Sequence, residues 1–83
     1  MTAQELKRRS SLLMSISFGV STVLALRKDI EMTHFIVASA DLVRADIDWL
    51  VEMGLIQWSG EVARCTERGH DVVAKRAKFP GEA

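Results

Sequence analysis

One cysteine, two histidines and no excess charge of either sign leave several functions without their chemistry. Cys65 alone cannot close an internal disulfide. His34 and His70 stand far apart with no carboxylate or cysteine at motif spacing, so there is no zinc-ligand pattern. A lone cysteine in a strand-like segment reads as a small buried apolar residue rather than a reactive thiol, and a reducing, cytoplasmic setting fits. Lys plus Arg number 11, as do Asp plus Glu, so no global field draws polyanions, and any nucleic-acid contact must come from local clustering. The 83 residues amount to a single domain, 1–83, with a flexible tail expected over 79–83 and no room for a substrate-enclosing cleft beside the core. Without a nucleophile-base pair, phosphate loop or metal cluster, the expectation is a non-enzymatic protein with no cofactor and no small-molecule substrate.

Charge is missing altogether from Ser10 to Leu26, and Lys7-Arg8-Arg9 precedes that run, which is the outline of a signal peptide or short membrane anchor. Four features count against it. The run carries several serines and a threonine, falls short of about 20 apolar residues, has no clear small-residue cleavage site before Arg27, and breaks at Gly19. Gly19 as a helix end with Ser21 as the following N-cap divides the run into two helices that meet in a core. Helix one is then expected from about Ala3 to Phe18, with Leu6, Leu13 and Ile16 inward and Lys7, Arg8 and Arg9 on the outer face. Helix two is expected from about Thr22 to Met32, with Val23, Leu26 and Ile30 inward and Arg27, Lys28 and Glu31 facing water. Residues Thr33 to Ala38 would form a turn or a short extended segment that pairs with a later ribbon.

The third helix is the best specified. Ser39 is a good N-cap, Asp41 lies in the first turn where a negative charge meets the positive helix end, and Val43, Ile47 and Leu50 recur on one face. Gly54 closes it. Leu55 to Trp58 and Val62 to Cys65 alternate around Ser59-Gly60-Glu61 as a short hairpin. Thr66 caps a last helix whose basic end, Lys75, Arg76 and Lys78, would complement the helix dipole before Pro80-Gly81 stops it. The order predicts an α+β, mostly helical fold of the winged helix-turn-helix type: three helices, a two-stranded wing and a C-terminal helix.

The segments Val43-Arg44-Ala45-Asp46-Ile47-Asp48-Trp49-Leu50, Met53-Gly54-Leu55-Ile56 and Thr66-Glu67-Arg68-Gly69-His70-Asp71-Val72-Val73-Ala74 carry a resemblance. With Arg76-Ala77 and Pro80-Gly81, they resemble a family of short winged-helix proteins of Mu-like bacteriophages and prophages. More distantly, the Thr-Glu-Arg-Gly turn is similar to the end of the wing in bacterial winged-helix repressors. The match is loose before Val37. It implies a phage-encoded winged-helix protein of the bacterial cytoplasm and no activity; fold and resemblance together favour nucleic-acid binding or transcription regulation as the expected role. The related phage proteins tend to carry an additional arginine where this chain has Ala40.

Two candidate surfaces follow. For nucleic acid, Ser39 and Arg44 on the third helix are the groove-facing candidates beside Ala40, Asp41, Ala45 and Asp48. From Ser39 to Glu61, however, Arg44 stands alone against Asp41, Asp46, Asp48, Glu52 and Glu61, a net charge of −4 that phosphates would repel. Arg44 reads equally well as a helical residue paired with Asp41 or Asp48. Lys7, Arg8, Arg9, Lys75, Arg76 and Lys78 are candidates for weak, phosphate-dominated contact if the first and last helices pack side by side; their plain alternative is a solvated face. For protein partners, Leu55, Ile56, Trp58 and Val62 offer an apolar ribbon suited to a homodimer or an adaptor role in phage assembly or host takeover, the alternative being that the tryptophans cover the core edge.

Overall fold

The computed structural model describes residues 1–81. Helix α1 spans Ala3–Ser17, α2 Val23–His34, α3 Ala40–Glu52 and α4 Glu67–Val73, with strands β1 (Ile56–Trp58) and β2 (Ala63–Cys65) between α3 and α4. This is an α+β, mostly helical domain. Among the described residues, no helix is long and apolar enough to cross a membrane. The uncharged run divides as expected, but Thr22, not Ser21, caps α2, its hydroxyl accepting the Ala25 N–H at 3.2 Å.

Each helix start is written locally. Thr2 and Glu5 form a reciprocal capping box on α1, the Thr2 N–H donating to Glu5 Oε1 at 2.9 Å. The Thr2 backbone hydrogen bond, followed by its hydroxyl, holds the Glu5 carboxyl below its ordinary range, so the box persists until the pH has fallen beneath that range. Ser39 caps α3 by accepting from Leu42 N–H at 3.1 Å. Thr66 caps α4 by accepting from Gly69 N–H at 3.0 Å, and its hydroxyl donates to the Gly54 carbonyl at 2.7 Å, which joins the exit of α3 to the entry of α4.

Helix α1 is the centre of the packing and touches α2, α3, α4 and β2. Leu12 and Leu13 of α1, Leu26 and Ile30 of α2, and Val43, Ile47 and Leu50 of α3 are all buried. The hairpin pairs antiparallel, Ile56 with Cys65 and Trp58 with Ala63, and its inner strand donates from Ala63 N–H to the Ser21 carbonyl at 2.8 Å. The segment that reaches the ribbon is therefore the α1–α2 turn. The stretch Thr33 to Ala38, expected as a turn or a pairing segment, instead begins inside α2: Thr33 and His34 are helical, and Phe35 turns the chain at φ 58, ψ 36. The Phe35 and Ile36 N–H groups both donate to the Ile30 carbonyl, the latter at 3.0 Å, which closes the end of α2.

Two expectations for the C-terminal part need correction. Helix α4 stops at Val73, and Lys75 adopts a positive φ of 66°, so Lys75, Arg76 and Lys78 follow the helix and are not its last turn. The chain then folds back: Phe79 is buried, its ring 5.6 Å from that of Trp49. The tail expected over 79–83 thus starts inside the core, and its residues 82 and 83 lie outside the described residues.

Gly69 shows how tightly α4 seats. A Cβ there would lie 2.1 Å from the Leu55 carbonyl oxygen and 2.6 Å from Cys65 Sγ. Gly→Ala inside a helix ordinarily gains up to about 1 kcal/mol. Here overpacking reverses the sign, and Gly69→Ala is expected to lower stability by roughly 1–3 kcal/mol in urea unfolding.

Candidate functional site

Asp46 organises the charged residues. It sits on α3 between Val43 and Leu50, on the inward face, with its side chain 1% exposed. A carboxylate buried there needs hydrogen-bonding partners to replace its lost hydration. Both come from α1: Arg8 grips it in a two-point fork through Nε to Oδ2 and Nη2 to Oδ1, and Arg9 Nε reaches Oδ1 at 2.9 Å. The hydrogen bond to Asp46 is the main reason that the Arg8 guanidinium is even more firmly protonated than usual. Arg9 also reaches Glu5 Oε2 at 3.4 Å and lies 4.5 Å from the centre of the Trp49 ring, a cation-π contact that continues into Phe79. Arg8 and Arg9, expected on an outer phosphate-binding face, are therefore internal ties between α1 and α3.

The other expected nucleic-acid residues fare unequally. Arg44 is paired with Asp48 one turn on, and its guanidinium lies 4.7 Å from the Trp58 ring centre. Ser39 spends its hydroxyl on the helix cap. Arg76 pairs with Asp71 at 3.0 Å. Lys7, Lys75 and Lys78 are exposed, and α1 and α4 do pack together, so that Lys75 shares a cleft with Leu6 and Ser10. On α3 the outward residues Asp41, Ala45, Asp48 and Glu52 present an acidic face.

Little of the expected protein-binding ribbon is exposed. Leu55 and Ile56 are 0% and 2% exposed and belong to the core, because the ribbon lies directly on α3 and α4. Trp58 is half-buried under Arg44, and Val62 alone of the four is exposed, at 37%. Cys65 is half-buried, and burial pushes its thiol above the ordinary range, away from reactivity at neutral pH.

The largest apolar exposure lies elsewhere. Leu24, Met32 and Phe35 are 74%, 68% and 87% exposed, and Val37 just beyond is 82% exposed. Leu24 and Met32 form a second stripe on α2, opposite Leu26 and Ile30, with Lys28 and Glu31 between them, and Phe35 follows at the left-handed end of the helix. A shallow groove of about 360 Å³, lined by Val20, Ala25, Lys28 and Met32, runs beside it. The signal was in the sequence: Leu24, Lys28, Met32 and Phe35 recur at spacings of four and three, out of phase with Leu26 and Ile30.

The Asp46 ties yield a direct test. Asp46→Asn leaves two cations facing a neutral amide and is expected to cost about 3 kcal/mol. Asp48→Asn, at an exposed pair, should stay within about 0.5 kcal/mol. Urea unfolding of the two variants measures the contrast.

Comparison with protein-family models, with curated proteins and with solved structures finds no match for this chain.

Proposed function

We propose that the chain is a non-enzymatic winged helix-turn-helix domain that serves as a protein-interaction module, with the outward face of α2 as its contact surface. The element order supports the winged-helix reading, as does the hydrogen bond from the inner hairpin strand to the α1–α2 turn. The interaction reading rests chiefly on Phe35. A left-handed helix ending is ordinarily glycine or asparagine, since a side chain in that conformation costs about 1–2 kcal/mol. Here the position holds a phenylalanine whose ring is 87% exposed, so it gains little from the domain's own core. Strain and exposure at one residue point to a role in contact with something else.

Groove reading by α3 has weaker support. Its one outward arginine is engaged by Asp48 and Trp58, and its neighbours are acidic. A second reading keeps nucleic acid in view: Lys75 and Lys78, brought beside α1 by the α1–α4 packing, offer sequence-independent phosphate contact whose affinity would fall steeply with salt.

A photo-crosslinking residue placed at position 35 in cells should give protein adducts, and the same residue at Gln57 on the hairpin should give none. Phe35→Asn should abolish the contact while raising the domain's stability by about 1 kcal/mol, because asparagine tolerates the left-handed conformation. A sequence-specific duplex lost on Arg44→Ala, together with no adduct from position 35, would replace this reading with DNA recognition.

A further inference from the structure

Building on that interaction reading, we infer that the partner of the α2 face is a second copy of the same chain, docked antiparallel through α2 about a two-fold axis. The stripe is complementary to itself when two copies run antiparallel. Place the axis across the helix between Asp29 and Ile30. Leu24 then lies level with Phe35 at the end of α2 in the second copy, and Lys28 faces Glu31 of the second copy, each contact occurring twice as a two-fold interface requires. A parallel, in-register pairing would instead oppose Lys28 to Lys28 and Glu31 to Glu31. Among the described residues neither Lys28 nor Glu31 takes part in an ion pair within the chain, so both are free to meet across the axis.

The geometry supports the same occupant. Leu24 to Phe35 spans about 16 Å at 1.5 Å per residue, so the contact covers the exposed length of α2, with the Lys28–Glu31 pairs fixing its register and the apolar side chains on either side. The groove formed by Val20, Ala25 and Met32 provides a concavity beside the stripe. A formal net charge of zero opposes no approach between copies. The total surface is 5208 Å², and a standard interface of about 800 Å² per partner would claim roughly 15% of it. A single helix face with its flanks supplies less, so the dimer is a weak and concentration-dependent one.

Charge exchange across the axis is the test. On the full chain, sedimentation from micromolar to millimolar concentration should show a monomer-dimer equilibrium. Lys28→Glu or Glu31→Lys alone, each creating two like-charge contacts, should weaken it about tenfold or more. An equimolar mixture of these two variants should form heterodimers, because each chain then meets its complement, and Lys28→Glu with Glu31→Lys in one chain should return dimerisation to about the parent level. Phe35→Asn should weaken it by roughly 10- to 100-fold. All substituted residues are exposed, and far-UV circular dichroism checks that each variant keeps its helices. A parent that stays monomeric at millimolar concentration, or single charge variants that dimerise like the parent, overturns self-pairing. Adducts from position 35 to a different protein would overturn it too while leaving the interaction reading intact, whereas the absence of any adduct there would remove both.

Discussion

The clamp of Arg8 and Arg9 on Asp46 is the constraint around which the rest of the charge pattern is arranged. It fixes the angle at which α1 crosses α3, because a forked guanidinium and a buried carboxylate tolerate little misalignment. It also withdraws two cations from the surface at the point where a basic patch would otherwise have formed. Trp49 completes the arrangement by stacking on Arg9, and Phe79 packs on Trp49 in turn, so the C-terminal segment is held by the same cluster as the first helix. Removing one partner of such a cluster is costly, because the buried charge that remains is left uncompensated.

Much of the architecture was legible because its signals are short-range. Ser39 and Thr66 as caps, Gly54 as a terminator, and Val43, Ile47 and Leu50 as an inward face each depend on residues within a turn or two. What was hidden depends on distance. Arg8 and Arg9 reach Asp46 across 38 and 37 positions, and a basic triplet on a helix has no local mark to distinguish a solvated face from a buried tie. Asp46 itself was readable in part, since position 46 falls with 43, 47 and 50 on the inward side. Leu55 and Ile56 looked like surplus apolar area on a small ribbon; how much of them is covered is decided by the seating of α4 against Leu55, which no spacing rule contains.

The exposed face of α2 and the clamp are two sides of one allocation. An 83-residue chain has few long apolar side chains, and here several large ones are placed outside while a carboxylate is placed inside. Hydrophobic burial alone would favour the reverse. The inward aspartate is satisfied by its two arginines, and no buried side-chain nitrogen or oxygen among the described residues lacks a hydrogen-bond partner. Phe35, 87% exposed, has no comparable satisfaction within the monomer, so the buried carboxylate and this exposed ring lead to different conclusions, one structural and one about contacts.

Thr66 has a dynamic consequence. Its amide donates to the Leu55 carbonyl at 3.0 Å, its hydroxyl donates to the Gly54 carbonyl, and the same oxygen receives the Gly69 amide. Three elements thus share one residue: the close of α3, the base of the hairpin and the first turn of α4. Opening any of them breaks bonds belonging to the others, so fraying at this corner cannot proceed one element at a time. The hairpin and α4 form one cooperative unit, and their amide protons should become exchangeable together through a single sub-global opening, while α1 and the buried half of α3 retain protection up to the global limit.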